Sequence, residues 1–250
     1  MDPILIAIII FFLAVLFSML GLGGALVYVP LLFWLTNDVL VAIPTALLLN
    51  GVTSSSAAIT YYRKKMIDLN MAAPFVLAST AGAPIGAYFT KFTPTEMLLW
   101  ILSIVLVLAG ARMIFSRTGE IDDHSGTVSK KERLTIGIGL GFVIGIAAGL
   151  LGIGGGVFIV PLLIALGYGT KRASATSAFI VVFSSFSGFL GHIGTGHLDM
   201  TLMAYTATAA FIGGQVGSHL MHSKMKSKTI KQMFGVVLWI MAVKIVSGLW

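Results

Sequence analysis

Hydroxyl and amide side chains cluster at two places in an otherwise apolar chain. Thr45, Asn50, Thr53, Ser54, Ser55 and Ser56 share one segment, and Thr176, Ser177, Ser184, Ser185 and Ser187 share another. Such groups donate hydrogen bonds to oxyanions, although Ser and Thr also bond back to their own helix or hold helices together. Thr45 and Thr176 stand 131 residues apart, as do Ser54 and Ser185. That correspondence singles out these four, with Asn50, as candidate ligands for a small anionic substrate.

Each cluster follows a glycine run. Leu20-Gly21-Leu22-Gly23-Gly24 leads to Val29-Pro30-Leu31-Leu32, and Leu151-Gly152-Ile153-Gly154-Gly155 leads to Val160-Pro161-Leu162-Leu163. A backbone broken at membrane depth must be buried in protein or line a cavity, because lipid cannot satisfy it. If the chain turns back at each break, a half-helix starts inside the membrane with free N–H groups and the positive end of its dipole. Two such ends converging from opposite faces form an anion site without any cationic side chain. The candidate backbone ligands are Gly23, Gly24, Gly154, Gly155 and Gly156, since glycine accepts positive φ and admits a ligand close to the main chain. Tight turning and close helix packing are the competing explanation for the same glycines.

Other chemistry finds little support. There are no cysteines, which excludes disulfides and thiolate ligands. Asp2, Asp38, Asp68, Glu96 and Asp199 fall at segment ends or loops, whereas a cation path or proton relay places acids within the spans. His192 and His197 are spaced wrongly for one helical metal-binding face, and a solvated or structural role suits them better. No metal, cofactor or catalytic residue is expected. Ser187 and His192 could be imagined as an intramembrane hydrolase pair, but no oxyanion loop accompanies them. Gly137-x-Gly139-x-Gly141 sits in an apolar segment without a preceding soluble strand, so it is no nucleotide fingerprint. Gly82-x-x-x-Gly86 and Gly213-x-x-x-Gly217 fit close helix packing.

The elements that must position these groups are membrane helices. The composition is 57% hydrophobic and 10% charged, which describes a polytopic membrane protein embedded in a lipid bilayer. Apolar segments run over 4–20, 25–35, 39–62, 71–90, 97–114, 134–151, 157–166, 174–193, 200–220 and 230–250. The runs after the two breaks are too short to cross, since a spanning helix needs about 20 residues. The first segment follows Met1-Asp2-Pro3 without a basic n-region, and reads as retained rather than as a signal peptide. The polar stretch Arg117–Arg133 is too short for a core of its own. Three units result: a membrane repeat over 1–116, a polar cytoplasmic linker over 117–133 and a second membrane repeat over 134–250.

The offset of 131 also pairs Pro30 with Pro161, Asp68 with Asp199, and Gly82 with Gly213. Charge decides the orientation of the copies. If both breaks are full crossings, the repeats are parallel and the basic residues divide almost evenly between the two sides. If both are hairpins, the repeats are inverted, and only Lys91 and Lys244 of the 16 Lys and Arg lie on one side. Basic residues concentrate in short cytoplasmic loops, so the inverted arrangement is preferred, with both termini outside the cytoplasm. The net charge of +7 then reflects orientation rather than nucleic-acid binding. Lys224, Lys226, Lys228 and Lys231 could meet anionic lipid head groups, though orientation alone accounts for them.

The doubled glycine break with its Val-Pro-Leu sequel, each followed by a Ser/Thr-rich helix in a chain of 250 residues, resembles the TauE/SafE family of sulfite exporters. The resemblance covers nearly the whole chain, and the second copy carries Gly156 where the first has Ala25. It implies a bacterial or archaeal cytoplasmic-membrane permease that exports sulfite, organosulfonates or related anions. The expected architecture is an all-α polytopic membrane protein of two inverted repeats. It has about eight spanning helices, with a glycine-broken re-entrant first unit in each half. The expected activity is secondary transport of a small oxyanion by alternating access, one repeat rocking against the other. An anion channel is the main alternative, followed by a hydrolase or a non-transporting membrane subunit.

Overall fold

A computed structural model describes residues 3–20, 23–115, 129–194, 198–220 and 227–247. Gly21, His197, Lys224, Lys226 and linker residues 116–128 lie outside the described residues. The described chain is helical: α1 Pro3–Leu20, α2 Ala25–Thr36, α3 Val39–Arg63, α4 Leu69–Thr90, α5 Thr95–Phe115, α6 Lys130–Leu151, α7 Gly156–Ala165, α8 Thr170–His192, α9 Met200–Leu220 and α10 Ser227–Ser247. Helices α3, α4, α5, α6 and α8 are long and apolar enough to cross a membrane by length and composition. By contrast, α2 has 12 residues and α7 has 10, which at 1.5 Å per residue is about 18 and 15 Å, half a bilayer.

The acids that the sequence places at segment ends begin helices. Asp38 accepts from the Leu40 N–H at 2.8 Å, Asp68 from the Met71 N–H at 3.1 Å and Asp199 from the Leu202 N–H at 2.9 Å. Ser129 and Glu132 form a capping box that starts α6. Each carboxylate satisfies a helix donor that would otherwise go unpaired.

Contacts between loops give the relative direction of the halves. The Tyr168 hydroxyl donates to Asp68 Oδ2 at 2.9 Å, and Arg172 Nη2 lies 3.5 Å from the same oxygen. The loop between α3 and α4 therefore shares an end of the molecule with the loop between α7 and α8. At the opposite end, Lys244 Nζ stacks 4.3 Å from the Trp34 ring centroid. Between these ends, Gly51 faces Phe186 and Leu47 faces Gly188, so residue numbers rise along α8 as they fall along α3. The two helices are repeat equivalents and run antiparallel, which is what inversion requires.

The halves interlock rather than stand side by side. Helix α4 packs most extensively on α6, and its repeat equivalent α9 packs on α1. Glycines permit both contacts: a Cβ on Gly82 would meet Phe142 O at 2.5 Å, and one on Gly213 would meet Phe11 O at 2.5 Å. Gly86 and Gly217 abut the backbone of Ile146 and Val15 one turn further along. Packing along α3–α9 and α4–α8 completes two mixed bundles, α1–α2–α3 with α9 and α6–α7–α8 with α4. Their principal seam is α3 against α8, while α5 and α10 pack mainly on each other.

Candidate functional site

Both glycine breaks turn through left-handed backbone. Gly23 and Gly24 have φ of 83° and 112°, and Gly152, Gly154 and Gly155 have φ of 74°, 68° and 83°. Gly24 and Gly155 stand at the N-caps of α2 and α7 with no side-chain cap of their own, and Gly156 is the first residue of α7. The early N–H groups of both half-helices point into protein, because Gly23 to Tyr28 and Gly154 to Val157 are all buried.

Asn50 joins the two breaks. Its Oδ1 accepts from the Ala25 N–H at 3.0 Å, which caps α2 from a neighbouring helix. Its Nδ2 donates to Ser185 Oγ at 2.7 Å across the α3–α8 seam. A Cβ on Gly23 would overlap Asn50 Oδ1, and a Cβ on Gly154 would overlap Asn50 Nδ2. One carboxamide thus lies against both breaks, and only glycine leaves it room. The repeat places Val181 opposite Asn50, so the bridge belongs to one half alone.

Two hydroxyls flank the carboxamide. Ser54 Oγ and Ser185 Oγ each lie 2.7 Å from the place a Cβ would take on Gly23 and Gly154 respectively. Ser185 accepts from Asn50, which leaves its own hydrogen to donate. Ser54 is 1% exposed, and its hydroxyl has no hydrogen-bond partner. A buried unpaired hydroxyl costs free energy unless something else satisfies it.

The remaining candidates lie elsewhere. Thr45 donates to Val41 O of its own helix at 2.8 Å, and Thr176 accepts from the Asp68 N–H at 3.1 Å. Each is nine residues from the serine at its break, about 13 Å along the helix. Thr53 donates to Leu49 O and is also 3.2 Å from the Tyr28 hydroxyl, while Ser184 donates to Gly154 O at 2.9 Å. Ser56 and Ser187 are helix glue: the first donates to Phe211 O and the second to Thr80 O, each at 2.7 Å. The Ser187 hydroxyl hydrogen is thus given to Thr80 O, and His192 Nδ1 lies 2.9 Å from Gly188 O.

Asn50 is conspicuous in the sequence, but its contact with both breaks is not. The available signal is that an amide alone among these groups both donates and accepts through fixed atoms. Tyr28, whose ring lies against Gly24, carries no sequence signal, since an aromatic in an apolar run reads as core.

Among the buried residues that are described, Asp68 is the one carboxylate. It sits between the α3–α4 and α7–α8 loops, beside Tyr168 and Arg172. Burial, and then the hydrogen bond to Asp68, push the Tyr168 phenol up to about 12, so it stays a donor at neutral pH. Among the described residues, no cluster of three or more His, Cys, Asp or Glu could hold a metal ion. The centre is therefore a neutral, donor-rich crossing of four helices.

Residues 6–245 match the family model described as Sulfite exporter TauE/SafE. The chain is 31% identical over 243 residues to the probable membrane transporter protein YunE of Bacillus subtilis, covering 88% of this chain and 89% of that one. It is 26% identical to the probable membrane transporter protein YdhB of the same organism, over 86% of this chain and 88% of the relative. A probable membrane transporter protein of Methanocaldococcus jannaschii is 23% identical over 96% of this chain and 93% of its own length. No solved structure matches the chain. With its multi-pass helical fold and a match along nearly its whole length, this chain belongs to the sulfite exporter TauE/SafE family and is a membrane transporter, not an enzyme.

Proposed function

We propose that the protein is a secondary transporter that exports a small oxyanion, such as sulfite or an organosulfonate, through the cytoplasmic membrane. The observation that carries this reading is the meeting of the α2 and α7 N-termini at Asn50, with Ser54 holding an unpaired hydroxyl beside them. The anion rests between the breaks and accepts from Ser54, Ser185, the Asn50 amide and the N–H groups around Gly24, Gly155 and Gly156. Thr45 and Thr176 serve the helices and not the anion. The basic loops face the cytoplasm, and both termini lie outside it.

The seam that holds the site also supports a carrier over a channel. Leu47, Asn50, Thr176 and Ser185 are fully buried, so the seam between α3 and α8 is closed at these positions. Access from either side requires the bundles to move apart. Because each repeat lends its fourth helix to the other bundle, the rocking bodies are the two mixed bundles rather than the two sequence repeats. In proteoliposomes, purified protein should move sulfite or methanesulfonate down an imposed gradient with saturable kinetics. If none of these anions crosses, the reading fails; unitary electrical currents would assign a channel instead.

A further inference from the structure

Resting on that anion site, we infer that it selects by charge state: it takes singly charged oxyanions and rejects dianions of the same size and shape. Charge must be balanced in a buried site. Each helix N-terminus behaves as roughly half a positive charge, so two of them supply about one. The ends of α1 at Leu20 and of α6 at Leu151 lie in the same breaks, so their opposite dipole ends subtract from that charge. Near the end of α1, Ser18 O accepts from the Tyr61 hydroxyl at 2.7 Å, and the α6 C-cap, Gly152, abuts Ile43. Tyr61 and Ile43 lie 11 and 7 residues from Asn50 on α3, or about 16 and 10 Å along the helix.

No side chain adds to that total. Asn50, Ser54, Ser185, Thr53 and Tyr28 are neutral, and all are buried. The buried Asp68 lies beside Thr176, nine residues from Ser185, and is paired with Arg172 at 3.5 Å. At most about one positive charge therefore faces the ligand, which a monoanion matches most nearly. A dianion leaves one negative charge unmatched in a low-dielectric interior, a penalty that breaks binding rather than tuning it. Ser54 supplies the independent sign of a ligand, since its hydroxyl is 1% exposed, unpartnered and directed at the break.

The test uses the unaltered full chain in detergent and three sulfur oxyanions of similar size. Methanesulfonate carries one charge throughout the accessible pH range, sulfate carries two, and sulfite gains its second charge around neutrality. Calorimetry should show methanesulfonate binding that does not change with pH, and sulfate binding weaker by about 100-fold or more. Sulfite affinity should fall about tenfold per pH unit once its second proton is lost, in step with the monoanion fraction. Sulfate binding equal to that of methanesulfonate, or sulfite binding that tightens as pH rises, overturns the charge rule and leaves the anion site standing. If none of the three binds, the site and the rule fall together.

Discussion

Ser54 and Ser56 are two positions apart on one helix and have opposite roles. The Ser56 hydroxyl is spent on Phe211 O, whereas the Ser54 hydroxyl is buried without a partner. Removing an unsatisfied buried hydroxyl relieves a cost, so Ser54→Ala should raise unfolding free energy by about 1 kcal/mol. The same change should weaken anion binding by about 10- to 100-fold, the worth of a hydrogen bond to a charged acceptor. Ser56→Ala should instead lose about 1 kcal/mol of stability and leave affinity unchanged. Thermal melts with and without methanesulfonate would separate the pair; destabilisation by Ser54→Ala would show that its hydroxyl is satisfied within the protein. Gly154→Ala combines strained backbone, about 1–2 kcal/mol for a left-handed non-glycine residue, with overlap onto Asn50. Binding assays on this variant should show affinity lost beyond the detection limit.

At the scale of elements, the short helices α2 and α7 are the unusual parts. Neither brings a capping side chain of its own at its buried start. Asn50 caps α2 from α3 and ties the pair to α8 through Ser185. Asn50→Val would copy into the first half the residue that the second half has at this place. It removes two hydrogen bonds and should cost about 2 kcal/mol, a cap plus one further bond. A fall in melting temperature in detergent, in contrast to the rise expected for Ser54→Ala, is the measurement. An unchanged melting temperature would mean that the α2 start needs no cap. Helices α4 and α9 have a different task. Their small-residue faces bring backbones into contact with α6 and α1, which holds the bundles rigid while the centre stays polar.

At the scale of the molecule, each repeat completes the other. The absence of cysteine gives a clean background for testing which parts move. Cysteines at Gly51 and Phe186 face each other across the α3–α8 seam, and those at Ala87 and Gly191 face each other inside one bundle. A short thiol cross-linker should abolish flux in the first double variant and leave most of it in the second. Arrest by both would mean that the bundles are not the moving bodies. Free flux with the seam locked would remove rocking along it from the mechanism.

Much of this protein follows from its residues in order. Apolar length sets the membrane class, the 131-residue offset reveals the duplication, and the bias of Lys and Arg toward one side implies inversion. These are properties of local composition and of the bilayer as solvent, so they need no tertiary contact. The glycine breaks and most of the serines that surround the centre are legible for the same reason: polar groups and flexible backbone at membrane depth demand an explanation wherever they pack. What the chain order cannot convey is which unpaired hydroxyl lies at a break: Ser54, Ser79, Thr80 and Ser177 are all buried without a partner, and of these Ser54 abuts Gly23. Ser54, Ser56 and Thr45 look alike on one helix, and only neighbours from α2, α8 and α9 separate a ligand from glue. The exchange of α4 and α9 between bundles is hidden as well, because small residues announce close packing without naming a partner. Asn50 joins both points: its amide is conspicuous in sequence, but its reach to both breaks exists only because two antiparallel helices cross there and two glycines leave space for it.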